Sequence, residues 1–521
     1  MTAWTRLSSH FHDISKDRIE DYFRDNPSRA DEYSIQVGNL YADFSKNHLT
    51  ATTIQLLFEL AREHNLAGHI DDLFTGREVN VSEHRAALHT ELRNIGDART
   101  GDDNGMNTQV MQSLQRMQVF LEQLENGTIE SAAGKPFDSV VNLGIGGSDL
   151  GPRMVTTVLH AFRTSRLSVH FVANIDSAEI MEVLSRCDPE STLFIVSSKS
   201  FTTRETLANA GFARKWLQDG GITKPEKQFI AVTARPDAAT TFGIDPSRIF
   251  PLPETIGGRY SVWSAVGISV AASIGMENFT RFLEGARHMD DHFRNQPLEK
   301  NLPVILGLMD IWYINFFRAQ TRAVIPYSHD LGMFPDYLAQ LVMESNGKSV
   351  TCEDTPVQYD TAAILWGGVG TNAQHAFMQL LHQGTRYVPV DFLVAIHSDG
   401  DPEHHRQLVC NCLAQGEALM KGTGNDQLPV HRQLPGNRPS TTILYDRLTP
   451  HMLGMLIALY EHRTYVQACI WDINPFDQWG VQLGKDISSN LAKELDSGEI
   501  PDSHDPSTQK LLGLFLSGSK K

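Results

Sequence analysis

The sequence contains few cysteines, and none of them has the paired spacing of a metal-binding or redox motif. The five are scattered through 521 residues, as Cys187, Cys352, Cys410, Cys412 and Cys469. An odd number without a CxxC pair argues against a disulfide framework and against a structural zinc site. Such cysteine usage suits a reducing compartment, and we expect a cytoplasmic protein.

Positive charge is also scarce relative to negative charge. The chain has 45 lysines and arginines against 62 aspartates and glutamates, which gives a net charge of −17. This balance argues against a surface that binds nucleic acid or an anionic membrane nonspecifically. An anionic ligand must then be held by a few local cations.

Long apolar runs are missing as well. No stretch of about eighteen apolar residues occurs, and residues 1–18 carry charges and histidines in place of the apolar segment of an export signal. We therefore expect a protein that neither spans a membrane nor is exported. The hydrophobic content of 41% still supports packed cores, which argues against wholesale disorder.

What the sequence does contain is a repeated alternation of short apolar strands and helices. Such a rhythm is typical of parallel sheets, and it occurs in two series: residues 139–143, 168–173, 192–196 and 228–232, then 322–326, 361–366, 390–396 and 441–445. The chain is too long for one small core. We predict the α/β class, with a helical N-terminal region at 1–105 that packs on the large domain, α/β domains at 106–275 and 276–487, and a C-terminal arm at 488–521.

A hydroxyl-rich turn follows the strand predicted at residues 192–196. Four hydroxyl side chains and Lys199 fall within the six residues 198–203, directly before a predicted helix from Arg204 to Trp216. Backbone N–H groups, hydroxyls and the positive end of a helix dipole suit a phosphate monoester. An ordinary helix cap is the alternative, but a cap needs only one such side chain.

The glycine-rich segment from Gly144 to Pro152 also follows a predicted strand. It differs from a dinucleotide fingerprint, because Asp149 stands where the third glycine is required and the next strand does not end in an acidic residue. We expect the glycines instead to let backbone N–H groups and the Ser148 hydroxyl approach a smaller ligand.

Several single residues stand out in the rest of the chain. Arg259 follows two glycines, which favours an anion-binding role over an ordinary surface arginine. Gln340 and Glu344 share one face of a predicted helix, and a carboxylate at that helix end suits a proton acceptor, although a solvated glutamate is the simpler alternative. His375 follows a second glycine turn, and Lys485 ends a helix predicted to begin at Pro475. With 21 histidines present, most are structural.

Together these stretches resemble the glucose-6-phosphate isomerase family, in the order in which that family has them. The matching segments are Gly144–Pro152, Ser198–Thr203, Gly257–Ser261, Met343–Lys348, Gly370–Phe377, His382–Gly384 and Asn474–Lys485. The resemblance implies two sugar-isomerase (SIS) domains with doubly wound parallel sheets, a homodimer, and no metal or cofactor. It implies interconversion of glucose 6-phosphate and fructose 6-phosphate in glycolysis and gluconeogenesis. Ser200, Ala373 and Met378 depart from the usual threonine, glycine and aromatic residue.

The resemblance also implies a role for each candidate residue. The phosphate loop comprises Ser198, Lys199, Ser200 and Thr203, whereas Gly147 and Ser148 line the sugar. Gln340 and Arg259 flank the reacting carbons, and Glu344 carries the proton between them. His375 and Lys485 open the sugar ring, with Glu205 orienting the histidine.

Two other functions fit parts of the pattern. A binding module with this fold would sense a sugar phosphate but would not need Glu344, His375 and Lys485 together. A metal-dependent aldose isomerase would need a cluster of carboxylates and histidines at ligand spacing, and none is visible. Activity in the presence of a chelator distinguishes the three hypotheses.

Overall fold

The computed structural model describes residues 1–95, 106–424, 427–498, 500–501 and 503–518. The chain divides into two compact units, Met1–Pro475 and Phe476–Lys521. The first unit begins with helices and one hairpin: α1 (Ala3–Ile14), α2 (Ile19–Asp25), α3 (Arg29–Glu32), β1 (Ser34–Val37), β2 (Leu40–Asp43), α4 (Ala51–Glu63) and α5 (Leu66–Phe74). The prediction of a helical N-terminal region is confirmed, but the hairpin was not part of it.

The first sheet contains five parallel strands in the order β4-β3-β5-β6-β7. Its elements are α6 (Met106–Glu125), β3 (Ser139–Leu143), α7 (Leu150–Val158), β4 (Ser168–Val172), α8 (Ser177–Leu184), β5 (Thr192–Ser197), α9 (Arg204–Asp219), β6 (Phe229–Thr233), α10 (Pro236–Phe242) and β7 (Ile249–Pro251). Every residue of β3, β5 and β6 is buried, which explains their continuous apolar character. The sequence predicted all of these strands except the short β7.

The second sheet has the order β1-β2-β11-β10-β8-β9. Its four later strands are parallel, and the N-terminal hairpin joins β11 in antiparallel orientation. The elements are α11 (Ile268–Asn295), α12 (Leu302–Ile311), β8 (Thr321–Tyr327), α13 (Phe334–Asn346), β9 (Ile364–Gly367), α14 (Gly370–Gln374), α15 (Met378–Gln383), β10 (Val390–Ala395), α16 (Pro402–Lys421), β11 (Ser440–Tyr445) and α17 (Pro450–Trp471). Both sheets therefore place their first parallel strand between the second and the third, and two similar α/β halves are confirmed.

Helix α17 is buried along nearly its whole length, including its charged side chains. Arg463 donates to Asp310 at 2.6 and 2.7 Å and to Asp391 at 2.9 Å. Arg322 of β8 donates to Asp310 at 2.8 Å and also contacts Asp391. Burial opposes ionisation of Asp391, yet Arg322 and Arg463 hold its pKa below the ordinary value. This arginine–aspartate network joins α12, β8, β10 and α17.

The second unit contains α18 (Gln482–Ser497) and α19 (Pro506–Gly518). The prediction that a helix begins at Pro475 and ends at Lys485 is wrong, because α18 begins at Gln482. The Asn474 side chain donates to Asn80 Oδ1 at 2.9 Å and to Ser82 Oγ at 2.8 Å instead of capping a helix. The Pro475 carbonyl accepts a bond from Arg259.

The helices of the described residues are all too short or too polar to span a lipid bilayer. In the same part of the chain, no group of three or more histidine, cysteine, aspartate or glutamate side chains is arranged to hold a metal ion.

The arginine–aspartate network predicts a large stability effect for Arg463→Met. The substitution leaves Asp310 and Asp391 buried with one cation between them, and removing one partner of a buried ion pair costs about 3–5 kcal/mol. The matched control is Arg281→Met, which removes an exposed ion pair with Glu277 on α11 and should change stability by less than about 1 kcal/mol. Thermal unfolding followed by circular dichroism tests this. Equal melting temperatures for the two variants would contradict a large contribution of this network to the stability of the protein.

Candidate active site

The candidate site lies where the strand order of the first sheet reverses. Strand β3 has β4 on one side and β5 on the other, and ligands bind outside the carboxyl ends of the strands at such a point. The glycine turn at 144–148 follows β3, and the hydroxyl loop at 198–203 follows β5. The topology therefore brings together two segments that the sequence singled out separately.

The hydroxyl loop has an internal hydrogen-bond network and an uncapped helix behind it. Ser198 Oγ donates to Thr203 Oγ1 at 3.1 Å, and Ser200 Oγ accepts a bond from Thr202 Oγ1 at 2.8 Å. Thr203 is the N-cap residue of α9 but makes no side-chain capping bond. The first N–H groups of α9 thus have no side-chain cap, which suits an anion at this position.

A buried phenylalanine holds the loop in an uncommon backbone conformation. Phe201 has φ = 52°, a region that bulky residues rarely adopt. Its ring is buried and meets the ring of Phe242 edge-on at 5.9 Å. This contact with the core therefore helps to fix the shape of the loop.

The glycine turn makes a close backbone contact with the segment that carries Arg259. A Cβ atom on Gly147 would lie 2.0 Å from the carbonyl carbon and oxygen of Gly258 and 2.6 Å from the Arg259 nitrogen. Only glycine allows this approach. Gly146, with φ = 62°, lies beside the Gln340 amide. Ser148, in the same turn, is partly exposed, and its carbonyl accepts a hydrogen bond from Asn142 Nδ2 at 3.0 Å.

Arg259 is buried, with 3% of its surface exposed. Its Nε donates to Ser345 Oγ at 2.6 Å, its Nη2 donates to the Pro475 carbonyl, and its Nη1 lies 3.5 Å from Glu344 Oε2. A planar guanidinium held at several points has a fixed orientation, so the alternative of a surface arginine is wrong. The sequence did not predict the hydrogen bonds of Arg259 to Ser345 and Pro475. Ser345 adjoins Glu344 in the motif, whereas Pro475 acts through a carbonyl that no side-chain pattern reveals.

Glu344 stands at the C-terminal end of α13 with its side chain 26% exposed. Gln340 Nε2 donates to Glu344 Oε2 at 3.1 Å, the same oxygen that faces Arg259. Lys348 Nζ holds the helix end by donating to the carbonyls of Glu344 (3.2 Å), Ser345 (2.8 Å) and Asn474 (2.9 Å). Across the described residues, Glu344 Oε1 accepts no hydrogen bond. One carboxylate oxygen is therefore fixed and the other is left to accept a proton.

The other three candidate catalytic residues lie on separate elements. His375 follows α14 and is exposed, and Glu205 in the first turn of α9 is partly exposed. Within the described part of the chain, no hydrogen bond connects these two side chains. Lys485 lies in the first turn of α18, in the C-terminal unit, and is exposed.

The side chain of Lys199 extends away from the hydroxyl loop that contains it. Its Nζ donates to the carbonyl oxygens of Glu254 at 2.7 Å and Ile256 at 2.8 Å. Burial lowers the pKa of this ammonium group to about 8. The lysine thus lies in the hydroxyl loop but bonds to the segment before Arg259.

Comparison with known proteins gives one consistent result. The family model described as phosphoglucose isomerase matches residues 43–512. The chain is 45% identical over 538 residues to the glucose-6-phosphate isomerase of Shewanella halifaxensis (strain HAW-EB4), covering 99% of this chain and 98% of that protein. It is 46% identical over 531 residues to that of Burkholderia orbicola (strain MC0-3), with 98% and 97% covered.

A solved structure agrees with these relatives. The crystal structure of a glucose-6-phosphate isomerase from Chlamydia trachomatis D/UW-3/Cx superposes with a TM-score of 0.88 and 31% identity. The match covers 99% of this chain and 98% of the other.

The contact between Gly147 and Gly258 predicts that Gly147→Ala will disable the site. The added methyl group would displace the turn that carries Arg259, and a misplacement of about 1 Å at a reacting centre can cost about 10²-fold in rate. The control is Gly211→Ala on α9, where a Cβ would meet nothing within 4 Å. Catalytic activity should fall by about 10²-fold or more for the first variant and stay near wild type for the second. Similar activities would show that the close approach is unnecessary.

Proposed function

The chain belongs to the phosphoglucose isomerase family, and we propose roles for its residues in the reaction that it catalyses, the interconversion of glucose 6-phosphate and fructose 6-phosphate. This isomerisation is a step of glycolysis and gluconeogenesis. The observation that most supports the roles is the convergence of Arg259 and Gln340 on one oxygen of Glu344. A single carboxylate can serve two adjacent carbons of a sugar when its surroundings keep it fixed.

The hydroxyl loop binds the phosphate group of the substrate. Ser198, Ser200 and Thr203 offer hydroxyls, and the start of α9 offers N–H groups that no side chain caps. Gly147 and Ser148 lie across the reversal point of the sheet and contact the sugar. Holding the phosphate in this way places the sugar carbons toward Glu344.

Ring opening precedes isomerisation, because both sugars are mainly cyclic. It needs an acid at the ring oxygen and a base at the anomeric hydroxyl. His375 and Lys485 provide these two proton transfers, and Glu205 orients the imidazole by accepting its second N–H. The exposed positions of His375 and Lys485 leave both groups accessible to a sugar.

Glu344 then moves a proton between C1 and C2 through a cis-enediolate. Its Oε2 is held by Gln340 and faces Arg259, so Oε1 is directed to the carbon-bound hydrogen. Negative charge develops on the enediolate oxygens only after deprotonation. The fixed Arg259 guanidinium stabilises that charge and thus lowers the barrier more than it tightens substrate binding.

The enzyme works as a homodimer without a metal or cofactor, in the cytoplasm. The free state of all five cysteines fits a reducing compartment. The dimer is supported by His375, which is exposed and has no bond to Glu205 within the described residues. In a symmetric dimer, His375 of the partner subunit can complete the site that contains Glu205 and Glu344.

The assignment of Glu344 predicts the behaviour of Glu344→Gln. The amide keeps the size and hydrogen bonding but removes the base, so turnover of fructose 6-phosphate should fall by about 10²–10⁴-fold or more. KM should change little, and exchange of the C2 hydrogen of glucose 6-phosphate with solvent should be lost. The control is Glu353→Gln at an exposed position.

All of these assays contain EDTA, in which the wild-type enzyme should keep its activity. Loss of wild-type activity in EDTA would indicate a metal-dependent isomerase instead. A folded Glu344→Gln enzyme that exchanged the C2 hydrogen at the wild-type rate would refute the role of Glu344.

Mixing two inactive variants tests whether His375 acts across a dimer interface. Glu344→Gln and His375→Ala are each expected to be nearly inactive on cyclic substrate. A mixed dimer has one site with both native residues if His375 comes from the partner subunit, so random mixing should restore about a quarter of wild-type activity. If both residues served the same subunit's site, mixing after unfolding and refolding together would restore none. His375→Ala alone should retain activity on the open-chain form, because proton transfer at carbon is left intact.

A further inference from the structure

Lys199 connects two parts of the site that sequence analysis treated separately. Its Nζ donates to the carbonyl oxygens of Glu254 and Ile256, at 2.7 and 2.8 Å. Ile256 is fully buried and directly precedes the glycine pair in front of Arg259. The lysine side chain therefore spans from the hydroxyl loop to the turn that presents the guanidinium.

The other end of this connection is fixed on the first sheet. The Lys199 carbonyl accepts a hydrogen bond from the Ala234 nitrogen at 3.0 Å and another from Thr233 Oγ1 at 3.1 Å. Thr233 is the last residue of the buried strand β6. The backbone of Lys199 is thus held by the core of the first domain, while its ammonium group holds the turn.

The charged groups around the ammonium group already have partners of their own. Arg85 pairs with Glu83 at 2.5 Å and lies 3.8 Å from Glu254, which also pairs with Arg235. Burial and then Arg85 lower the pKa of Lys199, whereas Glu83 and Glu254 oppose that shift. Glu83 and Glu254 are thus paired with arginines. Lys199 Nζ donates instead to two main-chain carbonyls.

We propose that Lys199 is a positioning residue, which fixes the Arg259 turn on the phosphate loop through the carbonyls of Glu254 and Ile256 and does not bind the substrate phosphate through Nζ. The inference rests on the proposed function and deepens it. Lys199 sets the distance between the phosphate anchor and the guanidinium that faces the reacting carbons. Since transition-state stabilisation by a fixed charge depends steeply on its position, loss of the link should lower kcat more than it weakens phosphate binding.

The experiment compares Lys199→Met with Thr203→Ala and with Lys215→Met, an exposed lysine on α9. For each protein, kcat is measured on fructose 6-phosphate, and inorganic phosphate is used as a competitive inhibitor to report binding at the loop. Lys199→Met should lower kcat by about 10-fold to 10²-fold and raise the inhibition constant of phosphate by less than that factor. Thr203→Ala should raise the inhibition constant, and Lys215→Met should match wild type in both.

The ratio of the two effects decides the outcome. If Lys199→Met raises the inhibition constant by as much as or more than it lowers kcat, or changes neither, the lysine is not a positioning residue. Should Lys199→Met fail to fold, as judged by circular dichroism, Lys199→Gln is measured in its place under the same criterion. Failure of the proposed function is recognised separately, because the wild-type enzyme would then not turn over fructose 6-phosphate.

Discussion

The buried pairing of Arg322 and Arg463 with Asp310 and Asp391 is the interaction on which the second half of the molecule depends. Charges removed from water are tolerated only when each has a partner and well-aligned hydrogen bonds. These paired charges fix α17 against β8 and β10. They are also connected to the candidate site. Gln467 of α17 donates to Asp310 and accepts from Asn346 Nδ2 at 3.0 Å, and Asn346 lies two residues after Glu344. The end of α13 that carries Glu344, the proposed base, is thus tied to this buried network.

The first half of the molecule also contacts the candidate site, through the glycine turn. Gly147 touches the backbone of Gly258, and Arg259 then extends to Ser345 and to the Pro475 carbonyl. Arg259 is therefore held from both halves at once. A guanidinium in such a setting needs no reorganisation when charge appears on a substrate, and this is the main physical advantage of an enzyme site over water.

Much of this could be predicted from the sequence, and the exceptions have physical reasons. Buried parallel strands produce continuous apolar runs, so the sequence predicts β3, β5, β8 and β10. The glycine pair before Arg259 and the helix end at Glu344 mark these two residues as candidates. The sequence does not predict the hairpin β1–β2, because two four-residue strands between helices leave little periodic signal. The direction of the Lys199 side chain and the role of the Pro475 carbonyl depend on main-chain acceptors. Residue type carries no information about those.

The two proposed chemical steps differ in how firmly their groups must be held. The groups proposed for proton transfer at carbon are fixed by contacts, whereas those proposed for ring opening are exposed. A hydrogen on carbon is only weakly acidic, so its removal needs a base and a counter-charge held in fixed geometry. The proposed pair, Glu344 and Arg259, has such a geometry within one chain. Ring opening moves protons only between oxygen and nitrogen atoms, which are acidic and basic enough to exchange with less exact placement. Under the roles proposed above, such groups can stand on exposed segments, as His375 and Lys485 do. On that proposal the demanding step relies on the folded core, whereas the easier step can rely on groups that a second subunit supplies.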